Sequence, residues 1–126
     1  MKRIVLAFAT MLSLAFTPLA AQDFQKGYAA AQAGDYATAI QEWTPLAEQG
    51  VSSAQYNLGY MYRNGLSVLQ DNVTAHMWYN IGAANGNELG GTNRDNIAKG
   101  MTPADISKAQ AMARECMSSG YTKCGY

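Results

Sequence analysis

The chain has 126 residues, with nine basic and nine acidic side chains and one histidine. That length allows one small domain, and the balanced charge, with no basic run, argues against nucleic acid or a membrane surface as a partner. Two cysteines, Cys116 and Cys124, are the full complement.

Residues 1–21 read as a cleavable signal peptide. Lys2 and Arg3 precede an uncharged apolar run from Ile4 to Phe16, and Thr17-Pro18-Leu19-Ala20-Ala21 closes on small residues. The run is shorter than the roughly 20 apolar residues of a spanning helix, so the expected cut follows Ala21 and the expected location is periplasmic or secreted. No cysteine follows the run to carry a lipid. The cut removes Lys2 and Arg3, leaving seven basic residues against nine acidic ones, a net charge of −2. No membrane insertion is expected after cleavage.

The remainder reads as helix throughout, rich in Ala, Gln, Met and Leu and without the sustained apolar–polar alternation of strands. Gly34, Gly50, Gly65, Gly86 and Gly120 each follow a helical stretch, where helix-ending glycines belong. An internal repeat orders these helices. Asp35 and Asp71, Ala39 and Ala75, Trp43 and Tyr79, Ala47 and Ala83, and Gly50 and Gly86 form five pairs, each 36 residues apart. Asp is a favoured N-cap, so each Asp opens a helix that its Gly closes. The spacing between them sets Ala, an aromatic and Ala on one helical face, a small–large–small stripe for close packing.

The segments before them correspond as well. "GYAAAQAGD" (27–35) and "GYMYRNGLSVLQD" (59–71) share Gly-Tyr and reach their Asp after loops that differ by four residues. Residues 22–50 are therefore expected to form one helical hairpin and 51–86 a second. Residues 87–126 are expected to form a third, divergent hairpin that caps the open end. Its last helix opens at Thr102, an N-cap, with Pro103 in the first helical position. Repetition of this period marks an all-α solenoid of about three antiparallel helix hairpins. Seven residues separate the cysteines, too many for a C-x-x-C redox pair, and no further ligands stand nearby for a metal. In an oxidising compartment such a pair is expected to be a structural disulfide.

The second unit carries a family resemblance. Ala54-x3-Leu58-Gly59-x2-Tyr62-x2-Gly65-x2-Val68-x2-Asp71-x3-Ala75-x2-Trp78-Tyr79-x3-Ala83-Ala84-x-Gly86 resembles a complete Sel1-like repeat, with Ser67 where the family usually has a second glycine. The first unit is similar to a shorter, tetratricopeptide-like relative of the motif. The resemblance implies a scaffold for protein–protein contact, in exported bacterial members often serving envelope signalling, stress response or host contact. It also implies that Tyr62, Trp78 and Tyr79 pack between helices. Cys116 and Cys124 resemble the disulfide clip of cysteine-rich members, some of which are linked to β-lactam binding.

Candidate chemistry is sparse. His76 stands beside Trp78 and Tyr79, but no G-x-S-x-G surrounds Ser52, Ser53 or Ser67, and Glu88, Asp95 and Glu115 are scattered. His76 is expected to point away from the Ala75–Tyr79–Ala83 stripe into solvent. No catalytic, cofactor or metal residue is assigned. Asn57, Tyr60, Arg63 and Asn64 instead form an i, i+3, i+6, i+7 stripe on the first helix of the full repeat, at positions the consensus leaves open, and Gln25 and Gln32 extend it on the first unit. These are the candidate partner-binding residues, and the partner is expected to be another protein. The rival readings are a β-lactam-binding or hydrolysing enzyme, and a structural subunit, for instance a homodimer joined through exposed hairpin ends.

Overall fold

The computed structural model describes the backbone of residues 19–125 and side chains from Phe24 to Gly125. Residues 1–18 of the expected signal peptide lie outside the described residues, and the expected cut after Ala21 falls in the first turn of α1. Among the described residues six helices follow one another: α1 (Leu19–Gln32), α2 (Tyr36–Glu48), α3 (Ser52–Asn64), α4 (Asn72–Ala84), α5 (Glu88–Ala98) and α6 (Pro103–Ser118). Among the described residues there is no strand.

Local signals place the helix ends. Asp35 Oδ1 accepts from the Thr38 amide at 3.1 Å to start α2. Asp71 opens α4 by accepting from the amides of Val73 (2.9 Å) and Thr74 (3.2 Å) and from the Thr74 hydroxyl (2.7 Å). Thr102 Oγ1 accepts from the Asp105 amide at 3.1 Å, with Pro103 in the first turn. Asn87 caps α5 through the Gly90 amide at 2.9 Å. The five glycines expected to follow helices all take positive φ. So does Ser67, at +56°, where the family would supply glycine.

The paired aromatics explain the shared Gly-Tyr. Trp43 on α2 and Tyr79 on α4 are buried, and each lies flat against a glycine of the preceding helix. A Cβ on Gly27 would stand 2.6 Å from Trp43 Nε1, and one on Gly59 would stand 2.6 Å from Tyr79 Cδ1. The glycine is thus where the two helices of each hairpin approach most closely. Trp43 Nε1 also donates to the Phe24 carbonyl at 3.2 Å.

The core runs from Ala39, Trp43, Leu46 and Ala47 on α2, through Ala54, Leu58 and Met61 on α3, to Met77, Trp78 and Ile81 on α4 and Ala113 and Cys116 on α6. Gln55 is fully buried within it. Its Nε2 donates to Ala47 O at 2.9 Å, its Oε1 accepts from Asn85 Nδ2 at 2.9 Å, and that same amide donates to Tyr121 Oη at 3.0 Å. This chain of hydrogen bonds ties the ends of α2 and α4 to the segment after α6.

Two expectations need correction. The last unit does not close as a hairpin, because α5 and α6 both pack on α4 and make little contact with each other. α5 buries only Gly90 and Ile97, so it offers α6 no apolar stripe, whereas α6 can seat Ala109, Ala113 and Cys116 on the core. His76, expected in solvent, is only 2 % exposed. With α3, α5 and α6 all against α4, that helix is enclosed on more than its one small–large–small face, from Ala75 through Tyr79 and again at Ile81 and Gly82. Cys116 and Cys124 lie at disulfide distance, with sulfurs 1.98 Å apart, behind the end of α6.

Candidate binding groove

An open groove of about 350 Å³ lies between α1 and α3, the first helices of successive units, with α2 beneath. Tyr28, Gln32, Tyr36, Tyr56, Asn57 and Tyr60 bring its polar tips, and Ala31, Trp43 and Met61 its apolar floor. Tyr28 and Tyr60 are about half exposed, 49 % and 46 %. They are the second residues of the two Gly-Tyr pairs, one turn of logic covering both: glycine faces the partner helix and tyrosine faces the groove. Trp43 is held in the floor by its bond to Phe24 O and by a tilted ring contact with Phe24 at 6.0 Å. Tyr56 leans on Tyr79, ring centroids 5.6 Å apart at 39°.

The sequence-derived stripe divides. Asn57 and Tyr60 line the groove, as does Gln32. Arg63 turns toward α5, donating from Nη1 to Asn93 Oδ1 at 3.2 Å. Asn64 is exposed and folds back on its own helix, its Nδ2 donating to Tyr60 O at 2.9 Å. Gln25 is exposed outside the groove. Tyr28 and Tyr36 were missed. The repeated Gly-Tyr held the signal for Tyr28, since it is the counterpart of Tyr60. Tyr36 has no such signal, because its place in the groove depends on how α1 and α3 are set over α2.

Of the repeat-defining residues, Ala54, Leu58, Gly59, Ala75, Trp78 and Tyr79 are buried, Tyr62, Gly65, Asp71 and Ala83 are half-buried, and Ala84 and Gly86 are exposed where α4 ends. Burial pushes the Tyr79 phenol up to about 12, with Tyr56 adding to the shift and Arg63 opposing it. Tyr62 is raised by burial and by the Asp71 charge. Burial alone would raise Asp71, but its bonds from Thr74 and Val73 hold it below the usual carboxylate range.

The groups first considered for chemistry do not assemble. His76 Nδ1 is buried without a hydrogen bond, and desolvation, then the Arg94 charge, lowers its pKa against the opposing pull of Asp95. Asp95 is engaged with Arg94 Nε at 2.9 Å, and Glu88 and Glu115 are exposed on α5 and α6. Among the described residues, no group of three or more His, Cys, Asp or Glu side chains is placed to hold a metal ion.

Residues 52–87, which run from the start of α3 through α4, match the family model of the Sel1 repeat. The chain contains a Sel1-like repeat. No curated protein matches the sequence. The Sel1 repeat is a protein–protein interaction module, and here it supplies the α3 wall of the groove, while the first unit supplies α1 and α2.

Proposed function

We propose that this Sel1-like repeat protein is an exported, non-catalytic adaptor of the bacterial envelope that grips a short segment of another protein in the α1–α3 groove. The observation that carries the reading is the groove itself: two half-exposed tyrosines from successive repeats face a common apolar floor. Tyrosine provides large contact area at small entropic cost, and neighbouring carboxamides adapt to backbone or side-chain partners. Export is supported by the signal-like residues 1–21 and by the Cys116–Cys124 pair, which an oxidising compartment would keep closed. No helix among the described residues is long and apolar enough to cross a membrane.

The test is cross-linked capture from the native envelope with the wild-type chain and with a Tyr28→Ser/Tyr60→Ser variant. The variant is expected to lose the captured partner while keeping the wild-type helical circular dichroism, since both side chains are half in solvent. Capture unchanged by the double variant would remove the groove as the docking face.

A further inference from the structure

The groove's chemistry narrows what it holds. None of its lining residues carries a formal charge at neutral pH, so it offers no counter-ion to a charged anchor. What it offers is flat aromatic surface with hydroxyls and carboxamides at the edges. Among the described residues, no internal hydrogen bond engages the hydroxyls of Tyr28, Tyr36 and Tyr60 or the carboxamides of Gln32 and Asn57. These groups donate to carbonyl oxygens, the only strong hydrogen-bonding groups of a backbone without N–H. Trp43 cannot donate into the groove, because its Nε1–H is committed to Phe24 O, so its ring serves as apolar floor.

Size points the same way. An open groove of about 350 Å³ admits only a few side chains from one face of a helix, which is ~10–12 Å across with its side chains. It suits about one turn of polyproline II, three residues over ~9 Å. Such a segment keeps its carbonyls exposed and is already extended, so little chain entropy is lost on docking. Grooves lined by aromatic rings with nearby hydrogen-bond donors recognise it for these reasons.

We infer that the α1–α3 groove takes an uncharged, proline-rich segment in the polyproline II conformation. The inference rests on the reading of this groove as the docking face and adds the chemistry of the occupant. Proline rings stack on the exposed rings of Tyr28 and Tyr60 above the buried Trp43, and Asn57 and Gln32 donate to the segment's carbonyls.

The two tryptophans supply the measurement. Trp43 lines the groove and Trp78 is fully buried elsewhere in the core, so their indole N–H signals in a proton–nitrogen spectrum act as reporter and control. Capped decaproline is titrated into the labelled protein, beside a capped Gly/Ser peptide of equal length and a capped, uncharged helix-forming peptide. Decaproline is expected to shift the Trp43 indole and the Asn57 and Tyr60 amides saturably and to leave the Trp78 indole in place. Tyr60→Ala is expected to weaken it about tenfold, the scale of a central aromatic anchor. No shift with millimolar decaproline, or an equal response to either control peptide, overturns the inference. If that happens while Tyr28→Ser/Tyr60→Ser still abolishes capture from the envelope, the groove remains the docking face for a different chemistry.

Discussion

His76 shows how one side chain can couple stability to pH. It is 2 % exposed, its Nδ1 has no hydrogen bond, and Arg94 stands near enough to disfavour a second positive charge, with only Asp95 opposing. The folded state therefore prefers the neutral ring and holds the histidine below its usual 6.5, so the unfolded chain takes up the proton first. Stability is whole above about pH 6.5 and falls as the pH drops through the window beneath it, until the folded-state value is passed. Asp35, Asp71 and Asp95 are all held below their ordinary 3.8, so their losses come at more acidic pH and do not blur this window. Thermal unfolding followed between pH 7.5 and 5 should show a falling midpoint for the wild type and a flatter one for His76→Leu; parallel curves would deny His76 the role. Ser67 makes a second test at this scale. It is exposed at φ +56°, a left-handed conformation that costs a residue bearing a Cβ about 1 kcal/mol. Ser67→Gly should raise the midpoint by ~4–8 °C per kcal/mol recovered for a domain of this size.

At the scale of the helices, the deciding contacts are the two glycines under the two aromatics. A methyl at Gly59 would stand 2.6 Å from a Tyr79 ring that is fully buried and cannot swing aside. Gly59→Ala should therefore cost ~1–3 kcal/mol, as overpacking of a closed core does, despite alanine's better helix propensity. A denaturation midpoint at or above that of the wild type would show that the α3–α4 crossing is looser than this contact implies. Much of the element scale was legible beforehand, because it is written in local chemistry. Asp35, Asp71 and Thr102 cap by hydrogen bonds three residues long, and glycines end helices through their own backbone freedom. The failures involve information that no local segment holds. His76 is covered where α5, with Arg94 and Asp95, comes to lie on α4, which its own neighbours Ala75 and Met77 do not reveal. Arg63 sat on a stripe of exposed-looking residues, yet α5 brings Asn93 within 3.2 Å of it. Tyr36 joins the groove only because two successive units are set side by side.

Across the whole molecule, stability is unevenly spread, as expected of a stack in which each unit leans on its neighbours. α4 is the common support, touched by α3, α5 and α6, while α5 buries only Gly90 and Ile97. The C-terminal end is held by the Cys116–Cys124 pair and by Tyr121, whose hydroxyl accepts from Asn85 Nδ2. Because that amide also donates to Gln55, the clip is connected to the buried polar chain that reaches Ala47 on α2. Closing so short a loop restricts the unfolded chain by roughly 2–3 kcal/mol on the chain-entropy account. Reduction should lower the unfolding midpoint accordingly, and its local effect should follow the hydrogen bonds rather than the sequence. Amide exchange is the measurement that resolves this. After reduction, protection is expected to drop in the last turns of α6 and in residues 119–125, and next at the C-terminal end of α4 around Asn85. α1 and the groove, whose lining holds none of the clip's residues, should exchange as before. Faster exchange at Tyr28, Asn57 and Tyr60 on reduction would mean that the clip and the groove are coupled, and that the first two hairpins do not stand as a unit without the third.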